Sequence, residues 1–84
     1  MRGDMVFVRC YGGVPLVRRV WDEDEFGIYI TNDEQFHLLS QGKNILWPVG
    51  FPRDDVFKYD AQLAVLMEDL YKNGKWDWKK LVPF

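Results

Sequence analysis

Apolar positions along this chain recur first with a period of two and later with a period near 3.6. Met5–Cys10 (Met-Val-Phe-Val-Arg-Cys) is β-branched and aromatic, the composition of a strand. Tyr11-Gly12-Gly13 supplies a turn. Val14–Trp21 predicts a second strand, with Pro15 near its start, where a missing N–H is tolerated. Asp22–Gly27 then predicts a connection into a third strand, Ile28-Tyr29-Ile30, paired with the second in a hairpin.

At residue 31 the pattern changes. Thr31 with Glu34, and equally Asn32 with Gln35, match the capping box that satisfies free N–H groups at a helix start. Phe36, Leu38 and Leu39 follow, and Gly42 stands where a glycine cap ends a helix, so residues 33–41 predict a short helix. Ile45–Pro52 is apolar but interrupted by two prolines and a glycine, which predicts an extended, buried connection. Arg53-Asp54-Asp55 reads as a tight turn and Val56–Tyr59 as a last short strand. Asp60 is placed to cap a helix over 61–73, in which Leu63, Leu66, Met67, Leu70 and Tyr71 share one face. Gly74 ends it. A tail over 75–84 interleaves Trp76, Trp78, Leu81 and Phe84 with lysines.

Together these elements predict one domain spanning 1–84, strand-rich over 5–59, of the small α+β class. The expected architecture is a small curled antiparallel sheet or an SH3-like barrel, with one short helix and a longer C-terminal amphipathic helix. Eighty-four residues leave room for one core, and the composition is 48% hydrophobic and 17% aromatic, which excludes intrinsic disorder. Four Trp, four Tyr and six Phe supply the apolar area that no disulfide can replace, because there is a single cysteine. That lone Cys10 and the absence of an apolar stretch behind Met1-Arg2-Gly3-Asp4 predict a cytoplasmic protein without a signal peptide or membrane span.

Charge sharpens the picture. The formal net charge is -2, but residues 1–21 carry +3 and residues 22–42 carry -6. A near-neutral total hides a dipolar chain, and it lacks the overall basic footprint of nucleic-acid modules. The run Asp22-Glu23-Asp24-Glu25 partly meets calcium-loop spacing. However, Phe26 occupies a position that needs an oxygen ligand, and the flanks read as strands. It predicts a solvated hairpin tip.

Chemistry is sparse. One His, one Cys, one Ser and one Thr leave no constellation for a catalytic triad or a zinc site, so neither a catalytic residue nor a metal or other cofactor is expected. His37 predicts a surface or half-buried helix residue, and Cys10 a small strand hydrophobe. The favoured function is therefore a non-catalytic protein-interaction or accessory domain. Its candidate contacts are Phe51, Arg53, Trp76, Trp78 and Phe84, which fall outside any core periodicity and are of the types that anchor interfaces. Its partner is a protein or a second copy of itself in a homodimer. The alternative is a nucleic-acid-binding small barrel in which Arg9, Arg18, Arg19 and Arg53 meet phosphates beside Tyr11 or Tyr29. Strand alternation puts Arg18 and Arg19 on opposite faces, which weakens that alternative.

Overall fold

The computed structural model describes residues 1–43 and 46–84. Its elements are β1 (Met5–Arg9), β2 (Pro15–Asp24), β3 (Gly27–Thr31), α1 (Asp33–Ser40), β4 (Val49–Phe51), β5 (Val56–Lys58) and α2 (Ala61–Lys72). Single 3-10 turns lie at Tyr11–Gly13, Arg53–Asp55 and Trp78–Lys80. The strands form one antiparallel sheet in the order β4-β3-β2-β1-β5. The class is thus small α+β, with a five-stranded antiparallel sheet and two helices. No ladder joins β4 to β5 among the described residues, so the sheet is open. The C-terminal helix, at 12 residues, is only modestly longer than the 8 residues of α1.

Burial shows how the sheet is bent. Val6, Val8, Val20, Ile28, Ile30 and Val56 form the core cluster, all at 4% exposure or less. Register places them on one face: Val8 lies opposite Leu16 and Val56, and Val20 opposite Ile30. Yet neither helix contributes a buried residue. The inner face is therefore buried largely by the sheet itself, helped by Cys10, Leu16, Phe51 and Phe84. Chain length demands the same bend. Only four residues, Pro52–Asp55, join the two end strands. Five flat strands would set those ends about 19 Å apart. Five extended steps reach at most about 18 Å, and the 3-10 turn shortens them further.

The outer face is covered by the tail. Phe7 pairs with Phe57 across β1 and β5. Trp76 stands edge-on to Phe7 at 5.3 Å, Trp78 lies over Phe57 at 5.0 Å, and the two indoles meet at 5.5 Å. The chain then returns beside β5: Lys58 N–H donates to the Val82 carbonyl and Phe84 N–H to the Val56 carbonyl. Phe84 thereby reaches the inner core.

Several local expectations are corrected. The acidic residues Asp22–Asp24 are not in the connection; they extend β2, and the turn shrinks to Glu25-Phe26. A bulge between Val20 and Asp22 leaves Trp21 unpaired on β2. Its ring meets Phe36 of α1 at 5.6 Å and the Arg2 guanidinium at 4.1 Å. Of the two capping readings, Asn32 is the cap, accepting from the Gln35 N–H at 2.7 Å. Thr31 is buried as the last residue of β3. On α2, Leu66 and Tyr71 are exposed, because the helix rests on the body along Leu63, Ala64, Met67 and Leu70. Asp60 caps α2 as its position implies, accepting from Gln62 and Leu63 N–H.

The segment before β4 departs furthest from expectation. Leu46, Trp47 and Val49 are exposed at 88%, 64% and 64%. Ile45, which opens the same apolar run, lies outside the described residues. Val49–Phe51 of this segment forms the edge strand β4, which among the described residues is paired on its β3 side alone. Gly27 permits the close approach of β4: a side chain there would meet the Phe51 carbonyl oxygen at 2.5 Å.

Candidate functional site

Four of the five arginines are held by acids. Arg2 faces Asp22 at 3.9 Å, Arg9 binds Asp55 at 2.9 Å, Arg19 binds Asp33 at 2.6 Å, and Arg53 binds Glu23 at 3.1 Å. Arg9 also donates to the Asp54 carbonyl and lies over the Phe57 and Trp78 rings. Arg53 adds a bond to the Asp24 carbonyl at 2.7 Å, which fastens the β4–β5 link to the end of β2. Arg18 differs. It has no carboxylate partner among the described residues, and its one hydrogen bond runs to the carbonyl of neighbouring Val17.

Pairing fixes where these groups point. Arg19 lies opposite Met5 and Thr31, whereas Arg18 lies opposite Val6, on the apolar inner face. The guanidinium lines a recess of about 210 Å³ with Val8, Cys10, Leu16, Ile30, Val49 and Phe51, beside the polar Asn32 and Gln35. Cys10, Val49 and Phe51 also line a shallower groove of about 520 Å³, bounded by Tyr11, Gly13, Pro52 and the Arg9–Asp55 pair. Recess and groove thus adjoin across a shared wall of Cys10, Val49 and Phe51, the groove lying between the Tyr11–Gly13 turn and β4.

The sequence-predicted contacts are not brought together. Phe51 lies half-buried on the wall shared by groove and recess, and Tyr11 is fully exposed on the groove's opposite rim. Arg53 is exposed but engaged by β2. Trp76, Trp78 and Phe84 belong to the body, and Trp78 Nε1 donates to the Gly13 carbonyl at 3.2 Å. Tyr29 donates its hydroxyl to Asp24 at 2.8 Å on the acidic hairpin. The nucleic-acid set Arg9, Tyr11, Arg18, Arg19, Arg53 and Tyr29 is spread over both faces and two edges of the sheet.

Electrostatics follows these contacts. Burial pushes the Cys10 thiol up; nearby Arg18 pulls it down, and Asp55 adds to the rise. The Tyr29 hydroxyl, with the Phe26 N–H, holds Asp24 below the usual carboxylate range, and the same bond raises Tyr29. His37 is exposed on α1, its Nε2 3.0 Å from Gln41 Nε2. No cluster of three or more His, Cys, Asp or Glu suited to a metal ion occurs among the described residues. No described helix is long and apolar enough to cross a membrane.

Sequence reasoning missed the exposure of Leu46, Trp47 and Val49 and the place of Cys10 in the groove. One signal was available: Pro48 and Pro52 bracket three residues, the pattern of a short edge strand, and one side of such a strand stays open. No protein-family model, curated protein or solved structure matches this chain.

Proposed function

We propose that this protein is a small, non-catalytic protein-interaction domain that binds its partner in the groove between the Tyr11–Gly13 turn and β4. The observation that carries the reading is the contiguous Tyr11, Val49 and Phe51 surface beside the one strand edge left uncovered among the described residues. Exposed apolar side chains gathered at a sheet edge are where partner chains add. The exposed Leu46 and Trp47 lead into the same edge. Its architecture is that of an SH3-like small barrel left open at one seam. The return of β5 beside β1 after a 3-10 turn and the self-buried inner face support that view.

The test is affinity capture from source cells with the wild-type protein and two folded variants, Val49→Asp and Leu66→Asp. The first places a charge on the groove; the second places the same charge on the exposed flank of α2. A partner captured by wild type and Leu66→Asp but lost with Val49→Asp supports the groove. A partner equally retained by Val49→Asp refutes it.

A further inference from the structure

We infer that the Arg18 recess receives the C-terminal carboxylate of an extended peptide whose last side chain is apolar. This deepens the interaction reading above and rests on it. Arg18 stands alone among the arginines in having no acid beside it among the described residues. It is also the half-buried arginine set among inner-face apolar side chains, where a carboxylate is the best complement to its guanidinium. A planar fork of N–H donors meets a carboxylate in a bidentate pair; a lysine ammonium does not.

The surroundings select a chain end over an internal acid. The recess is smaller and more enclosed than the adjoining groove, and its walls include Leu16, Ile30, Val49 and Phe51. Its polar side is α1: Asn32 Oδ1 is engaged by the Gln35 N–H, and Gln35 Nε2 donates to the Leu46 carbonyl at 3.0 Å, which ties that wall to the segment entering β4. A chain passing through would need an exit there. A C-terminal residue needs none, and it carries a carboxylate and an apolar side chain on the same Cα, matching one guanidinium ringed by apolar groups. The preceding residues then run out through the wider groove, past Tyr11 and Pro52 and alongside β4.

Cys10 lies on the wall common to both parts and is the chain's single thiol, so it reports occupancy. The probes are three octapeptide arrays: one with free C-terminal Leu, Val, Ile or Phe, the same peptides amidated, and an amidated set with an internal Glu. Binding confined to the free-carboxylate set is expected. Arg18→Gln weakens it at least about tenfold and Arg18→Lys by a smaller factor, since one charge-assisted bidentate contact is lost or degraded. The strongest peptide slows iodoacetamide alkylation of Cys10 by about fivefold, because access to the thiolate sets that rate. Circular dichroism on both Arg18 variants confirms that they fold.

Equal binding of amidated peptides, or wild-type binding by Arg18→Gln, overturns the carboxylate anchor. Equal binding of the internal-Glu set overturns the chain-end assignment. Silence of all three arrays overturns the inference as a whole. The groove itself stands or falls separately, on loss of a captured partner by Tyr11→Asp, which alters the groove rim and does not line the recess.

Discussion

Beside β5 the chain lays its own segment 81–84, with Lys58 N–H to the Val82 carbonyl at 2.8 Å and Phe84 N–H to the Val56 carbonyl at 3.1 Å. At the other end of the strand order, β4 is paired on its β3 side alone. Both strands are three residues long, and both contain a phenylalanine that contributes to packing. What separates them is the chain that follows. After α2, the segment over 75–84 returns and covers β5; the segments flanking β4 are spent reaching α1 and the Arg53 turn. The covered edge has become structure. The uncovered one keeps its apolar groups in water, with Pro48 and Pro52 limiting open-ended pairing with other sheets.

Removing one cover breaks the contrast most severely. Truncation after Gly74 strips Trp76 and Trp78 from Phe7 and Phe57 and removes the strand-like partner of β5. We expect the cooperative urea transition, followed by far-UV circular dichroism, to disappear. A truncated chain that still unfolds cooperatively at the wild-type midpoint would show the tail to be dispensable. The single change Trp76→Ala is expected to cost about 2–4 kcal/mol, the upper part of the range being reserved for fully buried rings.

A finer comparison lies within the tail. Trp78 Nε1 has the Gly13 carbonyl, whereas Trp76 Nε1 is buried without a partner among the described residues. Trp78→Phe therefore loses about 1 kcal/mol from its hydrogen bond, while Trp76→Phe discards an unsatisfied N–H and costs less. Chemical denaturation of both variants decides it: equal losses would contradict the assignment of the two N–H groups.

A smaller effect lies at the hairpin beside β4. Asp24 is depressed by Tyr29, so their bond stabilises fully above the ordinary Asp value and is lost as pH falls through the lower folded value. Tyr29 is raised by the same bond, so on the alkaline side the contribution is full below the ordinary Tyr value. It is lost as pH rises through the higher folded value. Tyr29→Phe should flatten both limbs in melting temperature recorded from pH 2 to pH 11. An unchanged acid limb would assign the Asp24 effect to the Phe26 N–H instead. The smallest expected effect is that of Val49→Asp, within about 0.5 kcal/mol of wild type, since the site is exposed on an unpaired edge. A loss of several kcal/mol would mean that β4 is buried and its edge is no surface for binding.

Local patterns were legible wherever a few neighbouring residues settle the outcome. Asp60 and Asn32 cap their helices because a short polar side chain followed by a helical stretch satisfies its own N–H groups. Strand alternation set Arg18 and Arg19 on opposite faces without reference to any other element. Legibility failed where the deciding neighbour is distant in the chain. For Trp76 and Trp78 the pattern allowed either a tail folded back onto the body or an interface anchor, and only their contacts with Phe7 and Phe57 select the first. Leu46, Trp47 and Val49 resembled core until β4 was found at an edge.

The same division runs through the whole molecule. Residue pattern alone indicated four of the five strands, the two helices, the Asp60 cap and the α+β class, because each follows from backbone preference and short-range periodicity. Tertiary structure decided which aromatics became packing, which strand edge stayed open, and which arginine was left without an acid. Those outcomes depend on partners brought together by a sheet that bends far enough for four residues to join its ends.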